Sequence, residues 1–309
     1  MDEFRCSERT FHGNDFTIFI LDSRKRTYDL KNEHCVVTGG SSGIGLAIAI
    51  QSAKMGANVT IIARSKARLQ AAKDEISTVI KNSQQKVLTF SVDLSKDPNL
   101  KDIVKEAEDN AGPITMLINC AGTSICHRFE ETPIEEFRRM LDINFLGSIN
   151  MTQAVLPYMK ERKFGRIGFV SSIAGLVGIY GYSAYSGSKY AILGAAEALN
   201  MEVQSHNIKL KDKPIETVRI SESAGLFSAK DVAIKTLDDI LNKKFMSSVG
   251  FEGSVLCYAF SCMKPSGSFL EVIIQVFTVG LLRLVTFVHL KHIYYTVRKC
   301  AEEKEREKK

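Results

Sequence analysis

The seven cysteines (Cys6, Cys35, Cys120, Cys126, Cys257, Cys262 and Cys300) contain no CxxC pair. An odd set without that spacing speaks against a disulfide framework and against zinc ligation, and suits free thiols in a reducing compartment. Charge is not concentrated either. The 41 lysines and arginines exceed the 35 acids by six, yet they are spread along the chain and mixed with acids. Nucleic-acid binding normally needs a clustered basic face with aromatics, and no such cluster is present. A secretory signal is also missing: Asp2 and Glu3 stand where positive charge is expected, and FTIFIL (16–21) is too short for a signal core. Internal repeats and low-complexity linkers are absent. Residues 1–30 are mixed and aperiodic, and read as a loose arm.

What is there is regular from residue 33 onward. HCVVTGG, NVTIIAR, VLTFSVDLS, ITMLINCAG and GRIGFVSS are five short apolar runs with the look of strands. Between them lie stretches of helical periodicity: IGLAIAIQSAKMG, KARLQAAKDEISTVIKN, and about 97–110, 133–142 and 145–161. In the second of these Leu69, Ala72, Ile76 and Ile80 share one face. Strands that are apolar throughout, alternating with helices, predict a parallel sheet covered on both faces: a doubly wound α/β fold. The length of 309 residues is ample for one large core.

Three features carry chemistry. TGGSSGIG (38–45) lies where the first strand becomes the first helix. Gly39, Gly43 and Gly45 permit a tight turn and close backbone approach. With Ser41 and Ser42 they present a helix N-terminus to a diphosphate. The second strand ends in Arg64, with Arg68 one turn later, where a reader of a ribose 2′-hydroxyl would be Asp or Glu. Two guanidiniums suit a 2′-phosphate, so NADPH is expected over NADH. Asp93, closing the third strand, is placed to accept from an adenine amino group. Asn119, Ala121 and Gly122 in NCAG end the fourth strand in small residues against which a cofactor can lie.

The third feature is YSAYSGSKYA (182–191). Positions i and i+4 share a helix face, so Lys189 stands beside Tyr185. A free phenol ionises near pH 10, too high for proton exchange at neutrality, and a neighbouring ammonium favours the phenolate. Tyr185 can then protonate a carbonyl oxygen as hydride reaches its carbon. Ser172, at the end of the fifth strand, points to the same crevice and would hold that oxygen; Lys189 would also hold the ribose.

TGGSSGIG, NCAG, Ser172 and YSGSK, in this order and spacing, resemble the short-chain dehydrogenase/reductase family over about residues 33–206. The resemblance implies a further catalytic asparagine, matching Asn144 in DINFLGS, as anchor of a proton-relay water. ARSKARL, the long run GRIGFVSSIAGLVGIYGYSAYSGSKYAILGAAEALNMEV and the tail MKPSGSFLEVIIQVFTVGLLR look like the branch of that family that reduces the ketone of long-chain sphingoid bases. LVGIY (176–180) would then wall the site with apolar surface, or serve simply as core. The other readings are a steroid or retinoid dehydrogenase, and a catalytically silent membrane-bound interaction protein of the same fold.

The expected layout is a loose arm (1–30), an NADPH-binding reductase domain (31–265), a hydrophobic membrane-associated segment (266–298) and a charged tail (299–309). A spanning helix wants about 20 uncharged residues, but Glu271, Arg283 and Lys291 interrupt the apolar run. The segment is therefore expected to be embedded or interfacial, in contact with membrane lipid. The resemblance implies the endoplasmic reticulum membrane, with the catalytic domain facing the cytosol; a homo-oligomer is an open alternative. One absence remains. After the catalytic helix the alternation demands another buried strand, yet SHNIKLKDKP offers only four suitable residues before charges and a proline. The reading is that a strand and its loop are missing after Leu210, leaving a chain that binds NADPH weakly and turns over slowly or not at all.

Overall fold

The computed structural model describes residues 29–203, 208–214, 228–242 and Gly280. Its sheet holds β1 (His34–Thr38), β2 (Asn58–Ala63), β3 (Val87–Ser91), β4 (Ile114–Asn119), β5 (Gly165–Ser171) and β6 (Ile208–Pro214). The order is β3-β2-β1-β4-β5-β6, every pairing parallel. Chain direction across the sheet reverses between β1 and β4. That is the place where a doubly wound sheet opens a crevice beyond its strand ends.

The strands are apolar throughout because each residue meets a core on one face or the other. Val37, Ile61 and Ile118 face the helices α1 (Gly43–Lys54), α2 (Lys66–Ser77) and α7 (Ala229–Leu241), meeting Ile48, Leu69, Ile76 and Leu237. Their neighbours Val36, Ile62 and Leu117 face the opposite layer, α3 (Leu100–Ala111), α5 (Gly147–Arg162) and α6 (Ser183–Glu202), meeting Val104, Val155 and Ile192. Each such side chain, fully buried, contributes about 1.5–3 kcal/mol relative to exposure. Leu69, Ala72 and Ile76 of α2 are buried as the periodicity requires, and Ile80 beyond its end packs on the same cluster.

A polar cluster closes the sheet's other end. His34 is wholly buried at the start of β1. Its Nδ1 meets the Gly112 carbonyl at 2.7 Å and its Nε2 meets Thr60 Oγ1 at 2.8 Å. Burial, opposed by the Gly112 bond and the Glu108 charge, holds the imidazole pKa below its ordinary value. Nearby, Arg162 makes two bonds to Glu108 and one to the Ile114 carbonyl, tying α5 to α3 and β4.

Helix α4 (Ile134–Met140) runs into α5 through a π-helical turn, Leu141–Leu146. Such turns shift the bonding ladder by a residue and often mark functional sites. Asn144 lies inside this one, buried.

The expectation of a missing strand is corrected. IKLKDKP forms β6 and pairs with the whole of β5, from Gly165↔Ile208 to Ser171↔Pro214. Within the described sheet β6 is an edge. Proline is tolerated on edge strands, so it does not exclude a strand here. The loop expected after that strand, residues 1–28 of the arm (1–30), the hydrophobic segment at 266–298 and the tail at 299–309 lie outside the described residues, Gly280 aside; Leu30, ending the arm, is buried against the core. Among the described residues no helix is long and apolar enough to cross a membrane.

Candidate active site

A cleft of about 720 Å³ opens beyond the carboxyl ends of the strands. Gly39, Ser41, Ser42 and Gly45 form one wall. Gly39 has φ +67°, and a Cβ there would stand 2.8 Å from the Ala121 Cα. A Cβ on Gly45 would stand 2.4 Å from the Gly39 carbonyl oxygen. Both positions therefore exclude a side chain, while Gly43 supplies a second left-handed turn (φ +56°) with open space around it. Ser42, at the N-cap of α1, makes no side-chain capping bond. First-turn N–H groups beside a glycine cradle are the donors a diphosphate needs.

Arg64, Ser65 and Arg68 line the same cleft from the end of β2 and the start of α2. Ser65 caps α2 by accepting from the Arg68 N–H at 3.4 Å, which sets the first turn carrying both guanidiniums. Asp93 lines the cleft as well. Its Oδ1 accepts from the Ser95 hydroxyl (2.7 Å) and N–H (3.1 Å), and these bonds pull its carboxyl below the usual range.

The end of β4 is clamped from β1. Thr38 Oγ1, fully buried, accepts from the N–H groups of Cys120 (3.0 Å) and Ala121 (3.1 Å). Ala121 and Gly122 line the cleft. Asn119 does not: it is 2 % exposed and donates to Thr152 Oγ1 at 2.9 Å, joining β4 to α5. Its side chain thereby joins the motif to the helix layer behind the sheet.

Tyr185 and Lys189 both line the cleft from α6. The Lys189 ammonium lies 5.7 Å from the Tyr185 ring centroid and donates to the Val170 carbonyl at 3.0 Å. A Cβ on Gly122 would be 3.6 Å from the same nitrogen, an ordinary contact, and a tight 3.1 Å from Asn144 Oδ1. Ser172 is buried, at the N-cap of a short 3-10 turn (Ile173–Gly175), and its Oγ accepts from the Ala174 N–H at 3.2 Å. Ala174 packs in the cluster that holds Tyr185. Asn144 sits behind the cleft wall. Its Oδ1 accepts from Thr123 N–H (2.8 Å); its Nδ2 donates to the Thr123 carbonyl and to Ser188 Oγ, both at 2.9 Å. The amide is thus taken up by protein, and it ties the loop after β4 to α6.

Beside the phenol the surface is apolar. Ile125, Phe137, Ile179 and Tyr182 pack on the Tyr185 cluster, and Phe129 stacks edge-on against Phe137 at 5.6 Å while remaining 71 % exposed. Of LVGIY, Leu176 is buried, Ile179 joins this wall and Tyr180 is exposed. Thr38, Thr123 and Ser188 escaped the sequence reading. Nothing about a strand-end threonine or a mid-helix serine announces that its hydroxyl ties two segments together.

The comparisons agree with this geometry. Residues 33–212 match the short chain dehydrogenase family. A 3-dehydrosphinganine reductase of Danio rerio is 41% identical over 294 residues, covering 89% of each chain. A 3-ketodihydrosphingosine reductase of Mus musculus is 41% identical over 293 residues, covering 89% of this chain and 88% of its own. A 3-dehydrosphinganine reductase of Arabidopsis thaliana is 38% identical over 310 residues, covering 94% and 91%. The crystal structure of apo LigD from Sphingobium sp. strain SYK-6 superposes with a TM-score of 0.66 over 72% of this chain and 91% of its own, at 21% identity, which speaks to fold alone. The chain belongs to the short-chain dehydrogenase family and is an oxidoreductase working with a nicotinamide cofactor.

Proposed function

We propose that this protein reduces the keto group of 3-ketodihydrosphingosine to the alcohol of dihydrosphingosine, with NADPH as reductant. The observation that carries the reading is Tyr185 and Lys189 on one cleft wall, between the glycine cradle and an apolar flank. The relatives named for this reaction support the choice of substrate. Support for NADPH comes from Arg64 and Arg68, both exposed and both on the cleft, where a 2′-phosphate would find two guanidiniums.

The cradle fits the cofactor: two glycines exclude side chains, and the start of α1 offers backbone donors. When bound, the reduced nicotinamide supplies a hydride to the carbonyl carbon. Tyr185 supplies the proton that the carbonyl oxygen takes up, so the ketone gains one hydride and one proton and becomes an alcohol. Ser172, buried beside the Tyr185 cluster, would orient that oxygen by hydrogen bonding. Lys189, held by Val170, keeps positive charge beside the phenol as its proton leaves and would hold the ribose hydroxyls of the bound cofactor. Ile125, Phe137 and Ile179 exclude water and take the alkyl chain nearest the ketone.

The hydrophobic stretch at 266–298 supports contact of that segment with membrane lipid, and the family resemblance implies the endoplasmic reticulum membrane with the catalytic domain facing the cytosol. Purified protein supplied with NADPH and 3-ketodihydrosphingosine is expected to oxidise the cofactor and form dihydrosphingosine, and Tyr185→Phe to stop it. Equal turnover by the phenylalanine variant sinks the assignment. Preferred turnover of a steroid or retinoid from a substrate panel redirects it. Deleting residues 266–309 should release the protein from membranes; unchanged pelleting refutes the anchoring.

A further inference from the structure

We propose that Ser188 is a positioning residue for this reaction, locking the helix that carries Tyr185 and Lys189 against the π-helical turn; the proposal rests on the ketone reduction above. Ser188 is wholly buried and does not reach the cleft. Its hydroxyl donates to the Tyr185 carbonyl at 2.7 Å and accepts from Asn144 Nδ2 at 2.9 Å. A serine bonding a carbonyl one turn back is by itself a local affair of helices. The second bond changes its meaning, because Asn144 belongs to a different segment and is pinned in turn to both backbone groups of Thr123.

The result is a buried chain of hydrogen bonds, Thr123–Asn144–Ser188–Tyr185, joining the loop after β4, the π-helical turn and α6. Thr123 and Tyr185, at its two ends, both line the cleft. Ser188 immediately precedes Lys189, so the bond that orients the Tyr185 backbone also sets the turn from which the ammonium projects. Without the hydroxyl, Asn144 Nδ2 keeps only the Thr123 carbonyl and a weak 3.9 Å contact to Met140 Sδ. A buried donor so deprived pulls its surroundings toward a new partner. Rolling α6 by a fraction of an ångström displaces phenol and ammonium together, and a misplacement of about 1 Å can cost roughly a hundredfold in rate. The glycine cradle, on β1 and α1, is not part of this chain of bonds. Ser188 is therefore expected to act chiefly on the chemical step, nucleotide binding changing only through the Lys189 contact to the ribose.

Ser188→Ala and Ser188→Cys test this, the thiol being nearly the same size and a weaker hydrogen-bonding group. The full-length protein is assayed for kcat and KM with 3-ketodihydrosphingosine, for NADPH Kd by fluorescence, and for Tm. Backbone hydrogen exchange of peptides covering 183–190 and 39–50 is followed in the same variants. The expected result is a kcat about tenfold or more lower in the alanine variant and intermediate in the cysteine variant, with KM and Kd changed several-fold less than kcat. Exchange should quicken at 183–190 and not at 39–50. An unchanged kcat in both variants, or a loss that merely follows Kd or the folded fraction, overturns the proposal. If the unaltered protein reduces no ketone, the proposed function fails, and the exchange pattern alone then decides whether Ser188 holds this helix.

Discussion

Lys189 donates its ammonium to the Val170 carbonyl at 3.0 Å while standing 5.7 Å from the centre of the Tyr185 ring. Helix geometry alone puts residues four apart on one face. It does not hold a flexible four-carbon stem in one place, and here the carboxyl end of β5 does so. Gly122, lacking a Cβ, keeps clear of Asn144 Oδ1, which a Cβ would meet at 3.1 Å. The cation next to the phenol is thus held where a strand end meets one helix face.

That arrangement predicts the behaviour of Lys189→Met. Removing the charge while keeping the stem should lower kcat by about 10²-fold or more, the range expected for positioned proton transfer. Circular dichroism should show the fold retained, and steady-state assay gives the rate. A kcat within about threefold of the original would contradict the role.

Arg64→Ala with Arg68→Ala tests the nucleotide preference. A charge-assisted hydrogen bond is worth about 1.5–3 kcal/mol, so NADPH binding should weaken by at least about tenfold. NADH binding should be unaffected, since it carries no 2′-phosphate. Fluorescence titration with both nucleotides reads the difference. Equal weakening of both would move the arginines from specificity to general electrostatics.

Gly39→Ala should be costly in a way that Gly178→Ala is not. At Gly39 the backbone is left-handed (φ +67°) and the new Cβ would meet the Ala121 backbone at 2.8 Å; at Gly178 it meets nothing within 4 Å. Strain of this kind costs of order 1–3 kcal/mol. Thermal unfolding should show a Tm several degrees lower for the first variant alone, and nucleotide titration a matching loss of affinity.

Stability should fall on mild acidification because of His34. Its folded pKa is depressed, chiefly by burial, so the unfolded chain binds the extra proton first. Stability is then intact above the unfolded value of about 6.5 and is lost as pH falls through the window below it. Tm measured across that window should drop for the natural chain. His34→Gln should be less stable at pH 8 but show a flatter dependence. Identical slopes would assign the acid sensitivity elsewhere.

Much of this protein could be read from its residues. The five apolar runs became β1 to β5 because a strand buried on both faces has no polar positions to spare. The glycine turn, Arg64, Arg68, Asp93, Tyr185 and Lys189 all line one cleft. Their spacing encodes strand ends and a helix face, both local properties. The sixth strand was misread for the opposite reason. IKLKDKP carries only a short apolar start before charges and a proline, and its pairing with β5 shows only in the assembled sheet.

The sequence by itself determined the alternation of strand and helix, the backbone freedom of the cradle and the pairing of phenol with ammonium, because each depends on residues within a few positions of one another. Only the tertiary structure decided that Asn119 turns to Thr152, that Thr38 clamps the end of β4, and that Asn144 bonds Thr123 and Ser188. Those are hydrogen bonds between residues 21 to 83 positions apart. A hydroxyl or amide offers the same donors and acceptors anywhere in a chain. What it bonds depends on which segments the packed core brings to its side.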